Sequence, residues 1–304
     1  MKATSKNLIV VSGPTASGKT DVAIALAKSL NTEIISADSR QFYREIPIGT
    51  TAPDAHQLAE VKHYFVGHLS VKDDYNVSRF ENDVLQLLKN LFRTTDAVIM
   101  VGGSGLYIDA VCKGIDELPD PDDKLRNRLN ELFETKGIEA LKKKLQTLDP
   151  EYYRQVDLNN PKRLMRAIEV CLQTGKPYSE QRLNRPKKRD FNIIKIGMDV
   201  PREVLNEHIG HRTHLMLDKG WLEEARQVYP LRKYNALNTV GYKELFKYFD
   251  GEWDLDTATQ KIITNTCRYA KRQMTWFRKD TEITWFAPSE TDRMIGFIKD
   301  NIKR

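Results

Sequence analysis

The 304 residues, 30% of them charged, suit one large domain or two and contain no run approaching the ~18 apolar residues of a membrane span. Three widely separated cysteines, Cys112, Cys171 and Cys267, argue against a disulfide framework or structural zinc and lead us to expect a reducing, cytoplasmic setting. The net charge of +6 sits entirely between residues 120 and 189, where 17 Lys and Arg meet 11 Asp and Glu; such a segment is either a solvated face or an attractor for a polyanion such as RNA.

In chain order, residues 8–11 are an apolar run that predicts a strand, and 21–30 predict a helix. Between them lies Gly13-Pro14-Thr15-Ala16-Ser17-Gly18-Lys19-Thr20, a full match to G-x-x-x-x-G-K-[ST] in its required strand-loop-helix setting. Glycines let successive N–H groups turn inward on a phosphate, and the helix dipole points its positive end there. Lys19 adds a charge and Thr20 a hydroxyl for magnesium (Mg2+). The loop predicts di- or triphosphate (nucleotide, ATP-type) binding without saying what becomes of the phosphate.

Residues 32–37 predict a second strand ending at Asp38. The spacing of Phe80, Val84, Leu87, Leu88 and Leu91 predicts a helix over 78–92, and 96–101 a strand running into Gly102-Gly103-Ser104-Gly105. From 121 to 189 the pattern turns helical (125–133, 138–145 and 161–172) and closes with the basic run 182–189, expected to be a solvated hinge. A strand over 191–200 returns to the sheet, and helices follow over 204–219, 221–229 and 257–277. The fold class expected is α/β: a P-loop NTPase-like parallel sheet with flanking helices and an inserted all-helical domain. The core comprises 1–120 and 190–304, and the insertion 121–189. In such sheets ligands lie beyond the carboxyl ends of the strands. The P-loop, Asp38-Ser39-Arg40-Gln41 and residues 102–107 are expected to converge there.

Asp38 is read as a general base, a magnesium ligand or the cap of its own turn. No Walker-B acid is present, since the strand over 97–101 ends in Gly102; this counts against an ordinary ATPase or GTPase. His208, His211 and His214 diverge around a helix and read as surface or packing residues rather than one metal site. A P-loop nucleoside or nucleotide kinase and a non-catalytic RNA-binding module both remain compatible with these features.

Further motifs narrow the choice. GPTASGKT, SADSRQFYR (36–44), IGTTAP (48–53), GGSGLYIDA (102–110), NPKRLMRAIEV (160–170), Arg212-x-x-x-Met216-x-x-x-Gly220, VGYKE (240–244) and RYAKRQMTWFRKD (268–280) occur in this order. Together they resemble the tRNA dimethylallyltransferases, or tRNA isopentenyltransferases, over nearly the whole chain. The resemblance implies transfer of a dimethylallyl group from dimethylallyl diphosphate to N6 of the adenine on the 3′ side of the anticodon. The P-loop would then hold a departing diphosphate. It implies Asp38 as base, with Thr20 and its magnesium, Lys19 and Arg212 on the diphosphate. Ser39, Arg40, Gln41 and Ser104 would contact the substrate nucleotide. Arg126 matches a family arginine at the flipped-base site of the tRNA, and Lys162, Arg163, Leu164, Met165 and Arg166 resemble a segment that meets the tRNA anticodon stem-loop. A monomer suffices for this chemistry. Relatives that prenylate free adenine nucleotides (adenylate isopentenyltransferases) are an alternative that the basic middle segment disfavours.

Overall fold

The computed structural model describes residues 6–183 and 185–302. The chain divides into two compact units, one of residues up to 112 together with those from 189 onward, the other of residues 113–188.

The first unit is built on a six-stranded sheet, in which every pairing is parallel: β1 (Asn7–Ser12), β2 (Ile34–Ser36), β3 (His63–Tyr64), β4 (Ala97–Gly102), β5 (Asn192–Met198) and β6 (Thr284–Phe286), in the order β3-β2-β4-β1-β5-β6. β1 and β4 are buried over their whole length, as continuous apolar runs must be when helices cover both faces of a sheet. Alternation along the strands divides their side chains between two cores. Leu8, Val10, Val98 and Met100 face one; Ile9, Val11, Ile99 and Val101 face the other.

The helices of this unit are α1 (Lys19–Leu30), α2 (Ala55–Glu60), α3 (Val77–Leu91) and α4 (from Gly105), and in the returning half α9 (Arg202–Asp218), α10 (Trp221–Val228), α11 (Tyr242–Phe249), α12 (Leu255–Phe277) and α13 (Thr291–Asn301). α1 and α13 cover one core through Val22, Leu26, Met294 and Ile298. Residues of α3, α4, α10, α11 and α12 cover the other, including Phe80, Ile108, Trp221, Tyr242 and Ile262. The register fixes the site. Ser12 pairs with Gly102 and with Gly197, and Ser36 pairs with Val101. The carboxyl ends of the central strands are therefore level, and the loops after β1, β2 and β4 emerge side by side.

In the second unit, a helical run α5 (Asp123–Leu148) is broken at Gly137 (φ 69°, ψ −174°), a conformation that costs glycine little. α6 (Pro150–Gln155), α7 (Pro161–Thr174) and α8 (Tyr178–Gln181) complete it. Leu129, Leu141, Leu145, Leu164 and Ile168 form its own core. Asp149 is fully buried and caps α6 by accepting from Tyr152 N (2.9 Å), while also accepting from Ser179 N (2.7 Å). One expectation needs correcting here. Arg189, the last residue of the basic run, is not solvated: its guanidinium is buried against Glu81 (2.6 Å) and donates to the Val111 and Ala110 carbonyls.

Candidate active site

A cavity of about 720 Å³ opens at the carboxyl end of the sheet, within the range of small-molecule sites. Loops after β1, β2 and β4 line it together with residues of α4 and of α9 to α12.

The loop after β1 winds through Ala16 (φ 63°) and Gly18 (φ 77°) into α1. Gly13 is closely packed: a Cβ there would lie 3.0 Å from Met198 Cβ and 3.0 Å from Ser17 Oγ, a tight contact. Lys19 folds back over the loop and donates to Pro14 O at 3.2 Å. Burial strips water from its ammonium and lowers its pKa to about 8; Asp38 opposes that shift and Arg212 adds to it. Ser17 Oγ is buried without a hydrogen-bond partner among the described residues.

Arg212 reaches in from the middle of α9. Its Nη2 donates to Thr15 Oγ1 at 2.6 Å and its Nη1 to Thr51 Oγ1 at 3.5 Å. Burial works against its charge, and Asp38 supports it. Lys19, Arg212 and Asp38 thus share one electrostatic neighbourhood.

After β2, Asp38 Oδ1 accepts from Arg40 N (3.0 Å), which closes a tight turn. Its Oδ2 takes no hydrogen bond among the described residues, so capping and a free carboxylate oxygen coexist in one side chain. Gln41 ties two loops together: its Oε1 accepts from Ser36 Oγ (3.0 Å), while Nε2 donates to Thr51 O (3.0 Å). Arg40 Nη1 donates to the carbonyls of Asn235 (3.1 Å) and Ala236 (3.0 Å). Ser104 Oγ accepts from Ser39 N (3.0 Å) and donates to Ser39 Oγ (3.2 Å). These four side chains line the cavity, or brace its lining, while already hydrogen-bonded within the protein.

The Gly102-Gly103-Ser104-Gly105 loop is shaped by close approach. A Cβ on Gly102 would lie 2.3 Å from Ala37 O, on Gly103 2.3 Å from Gln273 Nε2, and on Gly105 2.3 Å from Trp276 Cδ1. No acid, indeed no side chain, fits at the end of β4, which accounts for the missing Walker-B residue. Gln273 is buried and links two loops, donating from Nε2 to Gly103 O (2.9 Å) and accepting at Oε1 from Thr15 N (2.9 Å). Beside it, burial raises the Tyr269 phenol to about 12, with Asp38 adding to the shift. Trp276 Nε1 donates to Asp109 Oδ2 (2.9 Å). Gln273 and Tyr269 carry no individual role in the sequence reading, which weighs Trp276 as either a base-stacking or a core-packing residue. Their spacing of four and three residues on one α12 face was the available signal.

The residues expected to meet RNA lie in the second unit and divide in two. Lys162 and Arg163 are exposed in the first turn of α7. Arg126 Nε (2.9 Å) and Arg166 Nη1 (2.7 Å) are both paired with the buried carboxylate of Glu169. Leu164 is fully buried in the helical core, and Met165 packs against that core. Leu164 is therefore corrected: its side chain is a core element and has no surface to offer a ligand. Among the described residues, no cluster of His, Cys, Asp and Glu suits a metal ion, and no helix is long and apolar enough to cross a membrane.

The six-stranded parallel sheet with flanking helices and the glycine loop opening α1 define an α/β protein of the P-loop-like class. The family model described as IPP transferase matches residues 41–280. A protein named tRNA dimethylallyltransferase 2 from Parabacteroides distasonis is 49% identical over 296 residues, covering 97% of this chain and 99% of that one. A tRNA dimethylallyltransferase from Christiangramia forsetii is 50% identical over 291 residues, 96% of each chain. The crystal structure of the tRNA isopentenylpyrophosphate transferase from Bacillus halodurans superposes with a TM-score of 0.72 at 31% identity, covering 98% of this chain and 97% of that one. A eukaryotic dimethylallyltransferase described as acting on tRNA shares the fold, with a TM-score of 0.80 at 24% identity over 99% of this chain and 81% of its own. The chain belongs to the IPP transferase family, a family of prenyltransferases.

Proposed function

We propose that this protein transfers a dimethylallyl group from dimethylallyl diphosphate to N6 of the adenine 3′ to the anticodon in tRNA, and releases diphosphate. The observation that carries the proposal is that Arg212 and Asp38 line one cavity while Lys19, folded over the adjoining glycine loop, shares their electrostatic neighbourhood. That is the charge arrangement required by a departing anion next to a nucleophile that must lose a proton.

In this scheme the diphosphate lies in the loop of residues 13–20, under the N–H groups and Lys19. The N6 lone pair of adenine attacks the allylic C1 as the C1–O bond breaks, and that bonding pair leaves with the diphosphate. The N6 proton passes to the free Oδ2 of Asp38, a step worth ~10²–10⁴-fold in such reactions. Negative charge on the leaving oxygen grows as the bond breaks, so Lys19 and Arg212 stabilise the transition state more than the bound substrate. Gln273, Tyr269 and Ser104 brace the wall on the adenine side. The adenine must leave its stack, at a cost of a few kcal/mol that an unpaired loop lessens.

The residues also suit Mg2+. The Thr20 hydroxyl is a hard oxygen donor, as suits an ion that keeps most of its waters and binds substrate phosphates. The unpartnered Ser17 hydroxyl in the same loop fits a pocket shaped for an oxygen-rich guest. When bound, the ion would neutralise charge on the diphosphate.

Lys162 and Arg163 would contact phosphates of the anticodon stem-loop, with Arg126 and Arg166 holding that surface in shape through Glu169. The three free cysteines suit a reducing, cytoplasmic setting, and the scheme needs no more than a monomer. Incubation with magnesium, labelled dimethylallyl diphosphate and unmodified tRNA tests the proposal. Label in the tRNA with stoichiometric diphosphate is expected; turnover of ATP with a small acceptor, and unlabelled tRNA, would instead establish a kinase.

A further inference from the structure

We infer that Glu224, in the first turn of α10 and outside the reacting groups, is a positioning residue for the reaction proposed above. It holds the loop of residues 46–51 that links the diphosphate side of the cavity to the Asp38 side.

Glu224 is buried, 8% exposed, yet has no cationic partner among the described residues. Its carboxylate is satisfied by backbone instead. Oε2 accepts from Ile48 N at 2.7 Å and Oε1 from Gly49 N at 2.8 Å, while the Tyr242 hydroxyl donates to Oε1. Burial, then the neighbouring carboxylate, pushes the Tyr242 phenol far up, which keeps it a donor. The carboxylate of Glu224 accepts from two successive loop N–H groups, much as an anion sits in a nest.

Packing makes the grip tight. A Cβ on Gly49 would lie 2.2 Å from Trp221 Nε1 and 2.2 Å from Tyr242 Oη, and one on Gly241 would lie 2.2 Å from Trp221 Cζ2. The indole is thus wedged between two glycines, one in the loop and one at the start of α11. Trp221 and Glu224 stand three residues apart on one face of α10 and hold the loop together, one by shape and one by charge-assisted hydrogen bonds.

The far side of the loop meets both halves of the site. Thr51, held at φ 48°, accepts at Oγ1 from Arg212 Nη1 and at its carbonyl from Gln41 Nε2 (3.0 Å). Arg212 continues to Thr15 in the phosphate loop, and Gln41 lies in the turn that begins at Asp38. A carboxylate that fixes residues 48 and 49 therefore sets where residue 51 can hold Arg212 relative to Asp38. A polar strap with few anchors is sensitive to the loss of one, and a misplacement of about 1 Å in a reacting geometry costs up to about 10²-fold in rate.

The test is Glu224→Gln, with Tyr242→Phe as a second variant that keeps the ring and removes only the hydroxyl. Wild-type prenyl transfer is measured first; its failure would count against the reaction itself rather than against Glu224. Glutamine presents an NH₂ where one backbone N–H needs an acceptor. We expect Glu224→Gln to lower kcat/KM for dimethylallyl diphosphate by at least about tenfold. Tyr242→Phe should lower it by a smaller factor in the same direction. In both, the KM for tRNA should stay within about twofold of wild type, and exchange of the Ile48 and Gly49 amides should quicken, all measured well below each variant's Tm. If Glu224→Gln does not fold, Tyr242→Phe decides. Wild-type donor kinetics, or a KM for tRNA that rises as far as kcat/KM for the donor falls, would overturn the inference and leave Glu224 a packing residue only.

Discussion

Arg212 Nη2 donates to the hydroxyl of Thr15 at 2.6 Å, joining the middle of α9 to the phosphate loop nearly two hundred residues earlier. Under the proposed function this guanidinium would serve the diphosphate lying in the glycine loop. Arg212→Ala should lower kcat/KM for dimethylallyl diphosphate by about 10²–10³-fold, the usual loss for one donor to a developing oxyanion. The tRNA dissociation constant should be unchanged. Steady-state kinetics with each substrate varied in turn, together with a tRNA binding assay, separate the two. A loss confined to tRNA binding would remove Arg212 from the diphosphate.

Asp38 offers one capped and one free oxygen. Asp38→Asn keeps an acceptor for Arg40 N and abolishes basicity, so the turn should persist while kcat falls by about 10²–10⁴-fold. Single-turnover rates at saturating tRNA measure this. A wild-type rate would exclude Asp38 as the proton acceptor.

Lys19 gives a pH signature. Burial holds its pKa in the free protein at about 8, well below the ordinary lysine value of 10.5. A bound diphosphate restores a preference for the charged form. Below pH 8 both states are protonated. Between 8 and 10.5 only the liganded state is, so binding takes up a proton and diphosphate affinity falls as pH rises through that window. Calorimetry in buffers of different ionisation enthalpy should detect proton uptake near pH 8.5 and little near pH 6.5. Lys19→Met should abolish the difference.

The helical unit separates affinity from stability. Lys162→Ala and Arg163→Ala should each weaken tRNA binding and reduce the magnitude of the log–log salt slope by about one or slightly less. Leu164→Ala should leave the slope alone and cost about 2–5 kcal/mol in stability, as a truncated core leucine does. Salt titrations and urea unfolding of the three variants check both halves.

Gly102 permits a sharper stability test. Its missing side chain admits the Ala37 carbonyl, which is backbone and cannot rotate away. Gly102→Ala should destabilise by about 1–3 kcal/mol or more through overpacking. Gly210→Ala, within α9 and with open space around it, should be neutral or stabilising by up to about 1 kcal/mol. Denaturant midpoints compare the two.

The parallel α/β fold and the phosphate loop were legible in the chain because both rest on local rules. Continuous apolar runs mark strands covered on both faces, and glycine spacing marks a loop that must turn its N–H groups inward. The strands over 7–12, 97–102 and 192–198 stand close to where those rules predict them. Strands β3 and β6, two and three residues long, left no periodicity to detect. Strand order was equally hidden, because it depends on which strand ends meet.

By itself, the sequence determined the class of chemistry: a glycine cradle with Lys19, a nearby carboxylate, no acid at the end of the β4 segment, and a string of motifs resembling one prenyltransferase family. Only the tertiary structure decided which polar residues are free to act. Arg40, Gln41 and Ser104 are already engaged within the protein, and Arg126 and Arg166 are spent on Glu169. Leu164 is core, while Gln273 and Glu224 emerge as braces of the site. The physical reason is that a hydrogen bond between residues 15 and 273, or 49 and 224, leaves no periodic trace along the chain. It exists only once the strand ends are level and the loops between them have nowhere else to satisfy their backbone groups.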